Sequence, residues 1–246
     1  MLTKILKYFY SLLLLEILFG NNLIAHEPIF GNGPHVLFKG GFAPVVTVET
    51  VNGIFESEYA LEYGLTSNFT IGTDLIFNNE NNSYDFGGLK LKGKYRFYTK
   101  YKKGSMLQFS VLGSISIPKD KEANAINLGL TAGNESTDFY WFSSMLYFRQ
   151  ITNKIFNKLN YDLTLGYRVT ELNYYKPDLV LFLEFSGKHI FAANNENSGS
   201  VWSIAPTFML TYRNYALRSG IQFDVGSTGK LTKSNPVFKI ALEMHI

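Results

Sequence analysis

Three carboxylates, Glu56, Glu58 and Glu62, stand at even spacings, and four cations, Lys90, Lys92, Lys94 and Arg96, follow two by two. A period of two puts each set on one face of an extended strand. Asp74 lies on the stretch between them. Opposed stripes of this kind support two sorts of chemistry. They pair into a ladder of ion pairs and hydrogen bonds that fills an interior. Alternatively they line a path, with Lys90 to Arg96 as an anion-attracting stripe. Asp162, Arg168, Glu184, Arg218, Asp224, Lys239 and Glu243 extend the ladder on later stretches with the same alternation.

The histidines are His26, His35, His189 and His245. If the chain is cut after Ala25, His26 carries a free α-amine beside its imidazole. Those two nitrogens chelate an ion such as Cu(II), with His35 as a third ligand. The competing reading is that His26 merely suits the cleavage site and the segment is a tether. Catalysis finds less support. Ser186 lies near His189 by a polar loop, but no nucleophile–base motif surrounds them, and no cofactor is expected. Without cysteine, disulfides and thiolate sites are excluded. A net charge of +3 is too small to suggest a nucleic-acid partner.

The stretches that must position these side chains alternate throughout. Leu89, Leu91, Tyr95 and Phe97 separate the four cations. Phe238, Ile240, Leu242, Met244 and Ile246 alternate with Lys239, Ala241, Glu243 and His245. About twelve such strands follow one another from Phe42, most near the ~9–11 residues of a tilted membrane strand. The expected fold is an all-β, transmembrane, antiparallel up-and-down barrel over residues 42–246, its apolar face toward outer-membrane lipid. The last strand pairs with the first, near Phe42–Thr50. Tight turns at Leu65–Asn68, Gly133–Thr137 and Arg213–Tyr215 fall at one end. Polar connections, including Asn78–Ser83, fall at the other, as in outer-membrane barrels. One stretch, 138–149, is aromatic on both faces; Tyr140, Phe142, Leu146 and Phe148 are read as its lipid face. Aromatics at strand ends, among them Tyr63, Tyr95 and Tyr212 at one end and Phe77, Phe148 and Trp202 at the other, suggest two interfacial girdles. A secreted sandwich would alternate too, but with shorter strands.

Lys4 and Lys7, the apolar run Phe9 to Phe19 and Leu23-Ile24-Ala25 read as a signal peptide over residues 1–25. Residues 26–41 hold Pro28, Pro34 and several glycines, and read as an irregular segment in the periplasm or the lumen.

Three passages carry a family resemblance: AHEPIFGNGPHVLFKGG (Ala25 to Gly41), LEYGLTSNFTIGTDL (Leu61 to Leu75) and FKIALEMHI (Phe238 to Ile246). They resemble the transporter-like outer-membrane barrels named for the MetA pathway of phenol degradation. The resemblance implies transport of small compounds, hydrophobic or metal-linked, and a closing strand read by the barrel-assembly machinery. Such strands commonly end in Phe, where this chain has Ile246. No substrate residue carries over. The expected function is a passive channel for an unidentified small solute through a charged lumen. The alternative is a plugged, non-catalytic barrel with a structural or metal-handling role.

Overall fold

The structure, a computed structural model, describes residues 27–51, 54–80, 83–119, 124–151, 156–171, 173, 175–192, 198–229, 231 and 234–246. The expected signal peptide and His26 lie outside the described residues. Twelve strands run in chain order: β1 (Phe42–Val51), β2 (Ile54–Thr66), β3 (Phe69–Glu80), β4 (Ser83–Lys102), β5 (Ser105–Pro118), β6 (Ala125–Ser136), β7 (Phe139–Gln150), β8 (Phe156–Arg168), β9 (Asp178–Ala192), β10 (Gly199–Tyr212), β11 (Tyr215–Gly229) and β12 (Val237–Met244). Each pairs antiparallel with its neighbours, and the sheet closes on itself. The seam joins β1 to β12 in the register Val45 opposite Glu243 through Thr50 opposite Phe238. Past the strand end, Phe42 N donates to Ile246 O at 3.0 Å and Ile246 N to Phe42 O at 2.8 Å. Closure is what a sheet in lipid requires, because each unpaired edge group there costs several kcal/mol.

The two faces separate as the alternation predicts. Leu61, Tyr63, Ile71, Leu91, Leu128, Leu163, Leu181, Leu210, Phe223 and Leu242 are large apolar residues exposed on the outer wall. In the opposite phase Asp74, Gln108, Ser110, Thr131, Thr164, Glu184 and Thr207 are buried inside. An apolar outside around a polar inside suits hydrocarbon as the outer solvent. Aromatics cap the outer wall. Phe77 stacks on Tyr84 at 5.3 Å, and the Trp202 indole N–H donates to the Tyr161 hydroxyl at 2.7 Å. At the other end the rings of Phe69 and Tyr95 meet edge to face at 6.5 Å.

Two-residue turns join β2–β3, β4–β5, β6–β7 and β10–β11 at the end where both termini lie. Gly104 and Arg213 take positive φ (71° and 54°) to make two of them. This end is the periplasmic one by the rule that turns are short there; the longer β8–β9 connection, 169–177, is its exception. At the outer end the described residues of the polar run Asn78–Ser83 are strand, not loop. β3 continues to Glu80 and β4 starts at Ser83, with Asn79 opposite Tyr84. The stacked Phe77–Tyr84 pair, with the Tyr59 and Tyr84 hydroxyls 3.3 Å apart, holds this extension as a ladder.

Strand β7 reverses the expected orientation. Tyr140 and Phe142 are fully buried and point inward, as Leu146 and Phe148 do, while Phe139, Met145 and Tyr147 face outward. Phe148 is therefore no girdle residue. The reason is internal: Tyr140 and Phe142 cluster with Val180, Phe182 and Met209 from β9 and β10, an apolar lump inside a polar lumen. Truncating it leaves a cavity, so Phe142→Ala should destabilise the barrel by about 3–5 kcal/mol. A lowered urea midpoint measures this, and an unchanged midpoint contradicts the inward packing.

Candidate functional site

The lumen positions almost every charge picked out by spacing, because inward positions recur at every second residue of each strand. Opposite Glu62 on β2 lies Gly72 on β3, and opposite Gly72 lies Lys92 on β4. The glycine leaves room for the lysine to cross. The Lys92 ammonium reaches Glu62 at 2.7 Å and Asp74 at 2.8 Å, and Lys90 meets the other oxygen of Asp74 at 3.1 Å. On the far side of the seam Arg218 pairs with Glu243 at 2.6 Å and His245 with Glu243 at 2.8 Å, and across the seam itself Lys239 pairs with Glu49 at 3.2 Å.

Other residues of the set do different work. Arg96 leaves the ladder and caps the β2–β3 turn, donating to Ser67 O at 2.7 Å and Asn68 Oδ1 at 3.3 Å. Arg168 pairs with Asp178 at 3.1 Å at the periplasmic rim and donates to Thr137 O. Asp224 accepts from Ser203 at 2.6 Å and from Ser234. Asp162 accepts from the Ser144 hydroxyl. Glu56 and Glu58 face the lumen and make no ion pair among the described residues. Ser186 and His189 are separated by the wall: Ser186 faces inward and accepts from Gln222 at 2.7 Å, whereas His189 meets Ser200 at 2.8 Å on the other face.

Inside the barrel runs residues 27–41, and Lys94 belongs to it rather than to the ladder. The Lys94 ammonium binds Glu27 at 2.7 Å. Arg218 approaches the Glu27 and Pro28 carbonyls, each at 3.4 Å. The next three amides, Ile29, Phe30 and Gly31, all donate to the Glu184 carboxylate at 3.0, 3.0 and 2.9 Å, and Thr207 donates to it at 2.9 Å. Ser110 donates to Pro34 O at 2.5 Å, and Leu37 N donates to Thr70 at 2.8 Å. The chain leaves past Gly64, whose N–H donates to Gly41 O and whose carbonyl accepts from Gly40 N, both at 2.8 Å. A Cβ at Gly64 would overlap the Phe38 carbonyl, so only glycine admits this exit. The segment thus touches β2, β3, β4, β5, β9, β10 and β11, all toward the periplasmic end, and beside it lies the aromatic cluster of β7, β9 and β10.

His35 fastens the segment to β6. Its Nε2 is 2.9 Å from Glu135, and its ring meets Phe142 edge to face at 5.7 Å. Burial opposes the imidazolium, but the Glu135 carboxylate outweighs it and raises the His35 pKa above its ordinary 6.5. A histidine with a raised folded pKa stabilises docking fully below the undocked value. That contribution is lost as pH climbs from about 6.5 through the raised value. Hydrogen exchange at the Ile29–Gly31 amides should therefore accelerate as pH rises across this window, beyond its intrinsic base catalysis. The excess should vanish in His35→Gln; equal profiles in the two proteins would contradict the latch. Among the described residues no group of three His, Cys, Asp or Glu is placed to hold a metal ion.

Two adjoining cavities of about 480 and 420 Å³ remain, sharing Phe30, Asn32, Leu146 and Asn160 in their walls; the larger runs alongside residues 27–32, from Thr70, Lys94 and Glu243 toward the outer end, and the smaller lies outward of it. The first is lined by Glu58, Lys90, Lys92, Ser116, Lys158 and Lys239, the second by Ser186, Lys188, Gln222 and Asp224. Sequence reasoning missed Glu27, Glu49, Glu135 and Asp178 as partners. Glu49 was within reach, since Val45, Thr47 and Glu49 continue the inward phase of β1. Glu27 and Glu135 become partners only once the segment is known to be inside.

No protein-family model matches the chain, and no curated protein matches it. Solved structures do. The NanC porin superposes with a TM-score of 0.57 at 7% identity, covering 82% of this chain and 98% of the porin. An outer-membrane channel from Pseudomonas putida F1 gives 0.56 at 12% identity, covering 87% and 98%. The KdgM porin gives 0.50 at 9% identity, covering 82% and 98%. At such identities the likeness is one of fold. Taken with the closed wall and the apolar outer face, it makes this chain a transmembrane β-barrel of the bacterial outer membrane.

Proposed function

We propose that the protein is a channel for small solutes whose periplasmic half is occupied, and gated, by residues 27–38. The observation that carries the reading is the division of the lumen. Polar, charge-lined space of about 480 and 420 Å³ lies beside and outward of the segment, while a separate stretch of chain, held by side-chain contacts, narrows the inner half. A segment held by side-chain contacts and not paired into the sheet can leave without unfolding the wall, because β1 and β12 close the barrel without it. The fold likeness to porins and the resemblance to the MetA-pathway barrels both support solute transport. Residues 1–25 act as the signal peptide, β12 presents the assembly signal to the barrel-assembly machinery, and nucleic acid is no partner. No catalytic role is assigned, since Ser186 and His189 face opposite sides of the wall.

Liposome swelling tests this. Proteoliposomes should swell in a pentose faster than protein-free liposomes, and faster still with a variant whose segment is released. Swelling equal to protein-free liposomes for both proteins would sink the channel reading. A metal-handling plug is the second reading; it rests on the imidazole and free α-amine of His26 in the processed chain, since His35 is held by Glu135. It requires Cu(II) to bind the processed protein more tightly than a His26→Ala variant.

A further inference from the structure

The lysine stripe that looks anion-attracting in the sequence is spoken for: Lys90, Lys92 and Lys94 each hold a carboxylate. Two other lysines are not. Lys158 on β8 and Lys188 on β9 both point into the outer half of the lumen, and neither makes an ion pair or hydrogen bond among the described residues. Asn160 pairs with Lys188 in the β8–β9 register, and Lys158 pairs with Ile190. The two ammoniums are thus diagonal cross-strand neighbours, an arrangement that like charges disfavour unless a counter-charge is supplied. Asp224, held by the Ser203 and Ser234 hydroxyls, attracts Lys188 from across the smaller cavity but makes no ion pair with it, and Asp162 accepts from Ser144. The Lys158 ammonium lies 4.7 Å from the Phe148 ring centre, which steadies it without neutralising it.

Between the lysines stands Asn160. It lines both cavities, and its Oδ1 is buried without a hydrogen-bond partner among the described residues. A buried acceptor left unpaired is costly and invites a donor. We propose that Lys158, Lys188 and Asn160 form a binding site for a small hydroxy-carboxylate solute. The lysines take its carboxylate, the Asn160 carbonyl accepts from a hydroxyl, and Leu146 and Phe148 flank its carbon skeleton. The site faces the outer mouth, ahead of the occupied half, where a solute entering from outside meets it first. Its role as a capture site rests on the channel reading; its binding chemistry does not.

The test is titration calorimetry on the refolded full chain with gluconate, with glucitol as the uncharged control and acetate as the control without hydroxyls. Gluconate should bind and glucitol should not. Lys158→Met and Lys188→Met should each weaken gluconate about tenfold, the worth of one charge-assisted hydrogen bond. Asn160→Leu should weaken gluconate more than acetate. Lys176→Met, in the exposed β8–β9 turn, should change nothing, and heat-modifiable gel migration certifies that each variant is folded. Gluconate binding no tighter than glucitol, or unchanged in both lysine variants, overturns the site. Binding without solute flux keeps the site and removes the channel; flux without binding does the reverse.

Discussion

Replacing Glu184 with alanine should free the inner segment and raise ion conductance several-fold in planar bilayers while leaving the barrel folded. The expectation follows from how concentrated the anchoring is. One carboxylate receives three successive backbone amides and the Thr207 hydroxyl, and it is 2% exposed. Hydrogen bonds to a charged acceptor are worth about 1.5–3 kcal/mol each, and stranded donors add a desolvation cost. The three amides share one carboxylate and are rehydrated on release, so their worths do not add in full; losing the set should weaken docking by about 3–6 kcal/mol, or some two to four orders of magnitude in the docked-to-free ratio. Glu184→Gln should fall between, because its carbonyl oxygen still accepts from one or two amides. Hydrogen exchange at Ile29, Phe30 and Gly31 reads docking directly. Slow exchange persisting in Glu184→Ala would show that the segment is held elsewhere.

The second large effect lies in the wall. Lys92→Met should destabilise the folded barrel by about 1–3 kcal/mol, less than a fully buried pair broken from one side, because Lys90 still meets Asp74 and Glu62 is partly exposed. Lys92 bridges Glu62 and Asp74, and Asp74 is 0% exposed. After the substitution Lys90 alone faces Asp74, and Glu62 has no cation among the described residues. Lys92→Glu is harsher, since it brings three carboxylates together; it should give no heat-modifiable band at all. Charge reversal here therefore reports on folding rather than on ion selectivity. A urea midpoint for Lys92→Met within error of the parent would contradict the bridging role.

The sequence revealed the wall far better than its contents. A period of two fixes which residues share a face, and a lipid exterior leaves one face obviously apolar. Twelve strands, the β1–β12 seam and the inward phase of Glu62, Lys92 and Glu243 were all legible for that reason. Strand β7 was not, because Tyr140 and Phe142 are as apolar as Met145 and Tyr147. Alternation cannot choose a face when both are aromatic, and the choice is made by Phe182, Val180 and Met209 from other strands. The partners were hidden for a related reason. Pairing of Lys94 with Glu27, or of Glu184 with three amides, depends on where an aperiodic, proline-broken segment runs. No repeat in residues 26–41 encodes that path. The same limit made the Lys90–Arg96 stripe look free and left Lys158 and Lys188 unremarked.

Single-channel recording of the protein refolded with and without residues 27–38 tests the gated lumen most directly. The shortened chain should show a clearly larger unitary conductance than the full chain, with openings that are long and stable. The full chain should be mostly closed, opening more often as pH rises past the His35 transition. Equal unitary conductance and equal open time in the two proteins would contradict the assignment of the segment as the gate. An absence of channels in both would contradict the channel itself.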